Sequence, residues 1–149
     1  MVFTFCRFFL GDEVLGETAT ARVFSKFLKT GLPLHTDHMP LGLLRFMLET
    51  VRHFPTVPLQ HALSSDLSNV VLSLPGEDRA VFILHGLLGL RYRWIAAVAG
   101  VPRQRVQQLW FRSLIRLRRS IPSFKPNRFS QANAILSRKF VAFATKEST

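Results

Sequence analysis

The chain has 149 residues, 48% of them hydrophobic, with a single cysteine. That apolar content excludes a disordered tail and suffices for one ordinary domain or two small helical ones. Cys6 alone excludes an intrachain disulfide framework or a cysteine-based metal site, in keeping with a reducing cytoplasm. The formal charge of +11 is uneven: residues 1–66 carry six Lys/Arg against six Asp/Glu, and residues 67–149 carry fourteen against three. Such asymmetry favours a polyanionic partner for the second half, and nucleic acid fits better than a membrane because the arginines accompany a helix–turn–helix pattern.

The opening run Val2-Phe3-Thr4-Phe5-Cys6-Arg7-Phe8-Phe9-Leu10 is apolar but short, with no basic region before it and no small-residue cleavage pattern after it. It is expected to be neither a signal peptide nor a membrane span, but a first helix closed by Gly11. Asp12 then caps a second helix running to about Thr30, whose apolar face is Leu15, Ala19, Val23, Phe24, Phe27 and Leu28. Residues 31–40, with two Pro and two His, form a loop. A third helix from Leu41 to about Phe54 carries Leu44, Met47, Leu48 and Val51 and is ended by Pro55 and Pro58. Residues 55–65 read as a linker, and 64–74 as a short helix.

From Leu74 to Arg119 a Pro-started apolar helix, a short Ala-rich helix (Arg91 to Ala99), a Gly100-Val101 turn and a basic helix starting at Pro102 follow one another. Gly100 can adopt the left-handed conformation that a helix stop needs, so this order reads as a helix–turn–helix. In the last of these helices Val106, Leu109, Trp110, Ser113 and Leu117 share one face, while Arg105, Gln108, Arg112, Arg116 and Arg119 share another. Arg forks onto guanine or phosphate and Gln onto adenine, which is the chemistry of a DNA-recognition helix. Residues 121–127 break the helix, and 130–143 form a final amphipathic segment. Neither an internal repeat nor a low-complexity tract is evident.

Leu72-Ser-Leu-Pro-Gly-Glu-Asp-Arg-Ala-Val-Phe-Ile-Leu84, then Gly89-Leu90-Arg91-Tyr92-Arg93-Trp94-Ile95-Ala96, Gly100-Val101, Val106, Arg112, Leu117 and Arg118 resemble the last domain of bacterial sigma factors. The resemblance implies a promoter-reading helix–turn–helix. The first half is similar, more distantly, to the polymerase-binding lobe of the small extracytoplasmic-function group, through Leu10-Gly11-Asp12, Glu17, Val23 and Phe24. It departs from that pattern where Thr18, Ala21 and Arg22 replace the acidic and amide residues of the clamp-binding helix. It departs again where Leu43, Leu44 and Thr50 replace the Trp-Leu and Asn of the promoter-opening helix. In the recognition helix, Phe111, Leu114 and Ile115 stand where polar residues are usual; a helix apolar over that much of its circumference is normally buried, so either the segment 130–143 folds back over it or a partner protein covers it, exposed apolar patches of that kind marking interaction sites.

The candidate DNA-contacting residues are therefore Arg103, Gln104, Arg105, Gln107, Gln108, Arg112, Arg116 and Arg119, the last turns touching phosphates rather than bases. The candidate partner-binding residues are Phe24, Phe27, Phe111 and Ile115. Neither metal nor cofactor is expected: His35-x-x-His38 has ligand spacing but no evident third or fourth ligand. Nor is catalysis, since there is no Gly-rich phosphate loop, no nucleophile elbow and no recognisable carboxylate pair.

The expected fold is all-α: a truncated sigma-like lobe over 1–54, a linker over 55–65, a helix–turn–helix domain over 66–120 and an extension over 121–149. The resemblance implies a sigma-like regulator that binds promoter DNA and the RNA polymerase core, expected in the cytoplasm; the shortened first lobe, with unpaired apolar faces, leaves room for a second subunit that completes the sigma function. Two alternatives stand beside it: a sigma mimic that binds an anti-sigma factor without reading DNA, and an independent regulator that dimerises through its N-terminal helices.

Overall fold

The computed structural model describes residues 1–31, 39–55 and 66–120, and what these residues form is entirely helical. The helices are α1 (Val2–Leu10), α2 (Glu13–Lys29), α3 (Met39–Val51), α4 (Asp66–Ser73), α5 (Gly76–Val81), α6 (Tyr92–Ala99) and α7 (Arg103–Ser120). Between α5 and α6, Phe82–Leu87 continues the coil as a wider π-helical segment. The expected loop at 32–38, the linker at 56–65 and everything after Ser120, including the 130–143 segment, lie outside the described residues.

Local chemistry sets the helix ends. α1 stops where Gly11 turns left-handed at φ 76° and donates its N–H to the Arg7 carbonyl. One residue later the extended Asp12 accepts from the Leu15 N–H at 2.8 Å, satisfying one orphan donor of α2. α3 begins two residues earlier than its apolar period suggests, because Pro40 falls in the first turn, where no N–H is required.

The stretches expected to form two lobes share one buried core. α1 packs on α2 and α3 and also on α4 and the π segment, and α3 reaches α6. Phe5, Phe9 and Leu10 therefore lie in the same cluster as Val71, Leu74, Phe82 and Ile95. The cause is α1 itself: Val2, Phe5, Cys6, Phe9 and Leu10 are all buried, more apolar surface than a two-helix neighbour can cover. Burial pushes the Cys6 thiol up to about 11, so it stays protonated and serves as packing.

The buried ion that joins the halves is Arg79. Its guanidinium donates to the carbonyl of Phe9, at the end of α1, at 2.9 Å, and to those of Leu72 and Leu74, at the end of α4. It also lies over the Phe9 ring, 5.3 Å from the centroid. These are helix C-terminal carbonyls, which carry the negative end of the helix dipole, so one cation serves two helix ends. Burial pulls the Arg79 guanidinium below its ordinary value, and no carboxylate pairs with it among the described residues.

α2 corrects one expected face. Only Gly16, Ala19, Val23 and Phe27 of this helix are buried, a narrow stripe at spacings of three and four. Phe27, expected to bind a partner, is instead core, edge-on to the Phe46 ring at 6.5 Å. Phe24 and Leu28 point outward at 44% and 64% exposure. Three α3 residues at which the chain departs from the resembled pattern, Leu43, Leu44 and Thr50, are buried, and on α2 Arg22 covers the Phe54 ring at 4.8 Å.

Candidate nucleic-acid interface

The helix–turn–helix is formed by α6, the turn Gly100-Val101-Pro102, and α7. Gly100 sits at φ 68°, which an L side chain rarely tolerates, and closes α6 with an N–H to the Ala96 carbonyl. Pro102 stands immediately before α7, and its carbonyl accepts from the Arg105 N–H at 2.9 Å and the Val106 N–H at 3.3 Å. Having no N–H of its own, proline loses nothing at that junction.

α7 is seated by Val106, Leu109, Ser113 and Leu117, all buried. Trp110 stacks on Phe82 at 5.6 Å and meets His85 edge-on at 4.7 Å, while His85 lies 4.2 Å from the Tyr92 ring. The π segment creates this close approach. Leu88 donates to Ile83 five residues back at 2.9 Å, Leu90 to Leu84 at 2.9 Å, and the widened turn brings Gly86 under the indole. A Cβ at Gly86 would stand 2.9 Å from Trp110 Cζ3.

His85 offers a pH test. Its Nδ1 lies 2.8 Å from the Leu90 carbonyl, and burial pulls the imidazole below its usual 6.5, with that hydrogen bond partly opposing the shift. The folded state thus disfavours the proton, and the unfolded chain takes it up first as pH falls below 6.5. Stability is full above that pH and declines on acidification towards the folded pKa. The thermal midpoint should drop by a few degrees between about pH 7.5 and 5.5, and more steeply than in a His85→Gln variant. Equal slopes in the two proteins would refute the assignment.

The exposed side of α7 divides into three strips. Opposite the core, Gln104, Gln108, Phe111 and Ile115 repeat at spacings of four, three and four, with the two apolar side chains 60% and 54% exposed. Arg118 and Arg119, also exposed, follow at its C-terminal end. On one flank Arg105, Arg112 and Arg116 face towards α5. Arg105 pairs with Glu77 at 3.1 Å, and Arg112 clamps the fully buried Asp78 with two hydrogen bonds of 2.6 Å. On the other flank lie Arg103 and Gln107.

Arg112, expected to contact DNA, already has a partner within the protein. Its fork is used inside the protein, and hydrogen bonding to Asp78 holds its guanidinium above the ordinary value. The acids that engage it and Arg105 lie 34 and 28 residues upstream, invisible to a helical period. The side chains of Arg103, Gln104, Gln107, Gln108, Arg116 and Arg119 make no hydrogen bond or ion pair among the described residues and lie on the accessible side of α7, with Gln107 half-buried.

A recess of about 370 Å³ at the N-terminal ends of α6 and α7 is lined by His85, Arg91, Tyr92, Arg93 and Arg103. None of its three arginines is in a salt bridge among the described residues, although Arg93 lies over the Trp94 ring at 5.1 Å. Burial raises the Tyr92 phenol and the nearby Arg103 charge partly offsets this, so the hydroxyl remains a neutral donor. Three cations beside a hydroxyl donor suit a phosphate oxygen. Arg91 and Arg93 were not singled out by sequence as contacts; the signal was their place at the start of α6.

Among the described residues, no group of three or more His, Cys, Asp or Glu could hold a metal, and no helix is long and apolar enough to cross a membrane. No curated protein matches the chain. Residues 64–117 match the family model described as sigma-70, region 4, which supports a sigma-factor-like, DNA-binding type of helix–turn–helix domain over that stretch.

Proposed function

We propose, starting from a sigma-factor-like helix–turn–helix over 64–117, that this chain is a divergent sigma-like regulator that binds promoter DNA through α7 and acts with RNA polymerase. The observation carrying this reading is that cations bracket the outward strip of α7: Arg91, Arg93 and Arg103 at one end, Arg118 and Arg119 at the other. The end groups would hold phosphates and the amides between them would reach base edges. On α2, exposed Phe24 and Leu28 supply an apolar surface for polymerase or another protein.

The test is binding of the full chain, alone and with RNA polymerase core, to fragments of its native genome at graded salt. Gln104→Ala with Gln108→Ala should weaken specific binding by about tenfold or more, at about 1–3 kcal/mol for each good bidentate base contact. Arg91→Ala and Arg103→Ala should each weaken binding on all sequences and reduce the salt slope by about one. Absence of retained DNA in both conditions would reject the reading.

A second reading is favoured by the exposed Phe111 and Ile115 and by the internal use of Arg105 and Arg112. Here the chain is a sigma mimic whose apolar faces bind an anti-sigma factor or a similar regulator. Under it, the glutamine variants keep full partner binding, whereas Phe111→Ala and Ile115→Ala lose it.

A further inference from the structure

We propose that the outward strip of α7 reads A·T base pairs, with Gln104 and Gln108 on adenine and Phe111 and Ile115 on thymine methyl groups. This inference rests on the DNA-binding reading above and names the sequence class that reading leaves open.

Three observations carry it. The four side chains form one line directly opposite the buried stripe Val106, Leu109, Ser113 and Leu117, so a duplex approached by this helix meets them first. From Gln104 to Ile115 the line runs about 16 Å at 1.5 Å per residue, the length of a few base-pair steps. Between those two positions, the arginines that could fork onto guanine, Arg105 and Arg112, lie on the flank and are paired with Glu77 and Asp78.

Chemistry then selects the base. A Gln amide presents one donor and one acceptor, matching the N6 and N7 of adenine in the major groove. A phenyl ring and a sec-butyl group have no hydrogen bond to offer, and the apolar feature of the major-groove edge is the thymine C5-methyl. An apolar pair on a helix otherwise suits a protein partner as well, but charge argues for the duplex. Arg91, Arg93 and Arg103 precede the pair, Arg118 and Arg119 follow it, and no acidic residue occurs in α7.

The test begins with selection of a randomised duplex library on the full chain, alone and with RNA polymerase core. The best duplex is then resynthesised with deoxyuridine for thymine, one position at a time, which removes only the methyl group. An A·T-rich motif is expected, with affinity falling about fourfold at each contacted thymine, the value of burying one methyl-sized group. Phe111→Ala or Ile115→Ala should bind less tightly and lose the difference between thymine and deoxyuridine at its own position. Both are exposed, so the fold should tolerate the changes, and the deoxyuridine series on the unaltered protein needs no variant at all.

A G·C motif, or equal affinity for thymine and deoxyuridine throughout, would overturn this inference while leaving DNA binding intact. Failure to retain any duplex would remove both.

Discussion

Arg79→Met should lower the thermal midpoint by about 10 °C, corresponding to about 3 kcal/mol at roughly 2–4 °C per kcal/mol for a chain of this size. Two effects compete. Removing a buried ion recovers its desolvation cost, which is why apolar replacements of entire buried ion pairs can be neutral or even stabilising. Here, however, the partners cannot be removed with it. The carbonyls of Phe9, Leu72 and Leu74 are backbone groups at two helix ends, and all three lose their shared donor at once. Each hydrogen bond to a charged group contributes about 1.5–3 kcal/mol, so the loss outweighs the recovered solvation. Methionine fills much of the volume without supplying a donor, and Arg79→Lys should fall between the two because one ammonium cannot span both helix ends. Thermal unfolding followed by circular dichroism reads the result. A methionine variant as stable as the parent would show that the charge was a net cost and that apolar packing alone joins α1 to α4.

The same clamp shows what was legible in the sequence. Helix ends depend on chemistry within a few residues, so Gly11, Asp12, Gly100 and Pro102 revealed α1, α2, α6 and α7 with ends close to those observed. Periodicity revealed the buried stripe of α7 for the same reason. It was too generous on α2, where six apolar positions suggested a broad face and the groove accepts a narrow one, so that Phe24 and Leu28 stand exposed while Phe27 is core. Features depending on distant partners were not legible. Arg79 reaches 70 residues back to Phe9, and the π segment breaks the period of 3.6 just where Gly86 admits Trp110. The sequence grouped Arg105 and Arg112 on one face with Gln108, but only the folded position of α5 brings Glu77 and Asp78 against the two arginines, which stay partly exposed on the flank.

This diversion bears on function. A recognition helix with arginines free along its length has a guanine-reading potential that this one gives up over its middle turns. What remains outward is amide and hydrocarbon between two cationic ends, a surface that, on the proposed reading, would draw affinity from phosphates and choice from shape and methyl contacts. In the proposed DNA-reading role, the acids of α5 would act on specificity by removing a competitor, without touching DNA themselves.

Arg112→Ala separates these roles most sharply. Asp78 is fully buried and Arg112 is 44% exposed, so truncating the arginine leaves a carboxylate with no charged partner in the interior. Breaking a buried pair from one side costs about 3–5 kcal/mol, and the partial exposure of Arg112 lets water soften this to about 2–3 kcal/mol. The midpoint should fall by about 5–10 °C. Adding Asp78→Asn to Arg112→Ala should restore part of the loss, because an amide is cheaper to bury than an unpaired charge; that non-additivity is the signature of a structural pair. The salt dependence of DNA binding should stay unchanged in Arg112→Ala, since an arginine clamped on Asp78 neutralises no phosphate. If Arg112 instead contacts DNA, the pattern inverts: an unchanged midpoint, additive substitutions, and a salt slope smaller by about one. Measuring the midpoint and the slope on the parent, the two single variants and the double variant distinguishes an arginine that holds α7 against α5 from one that holds DNA.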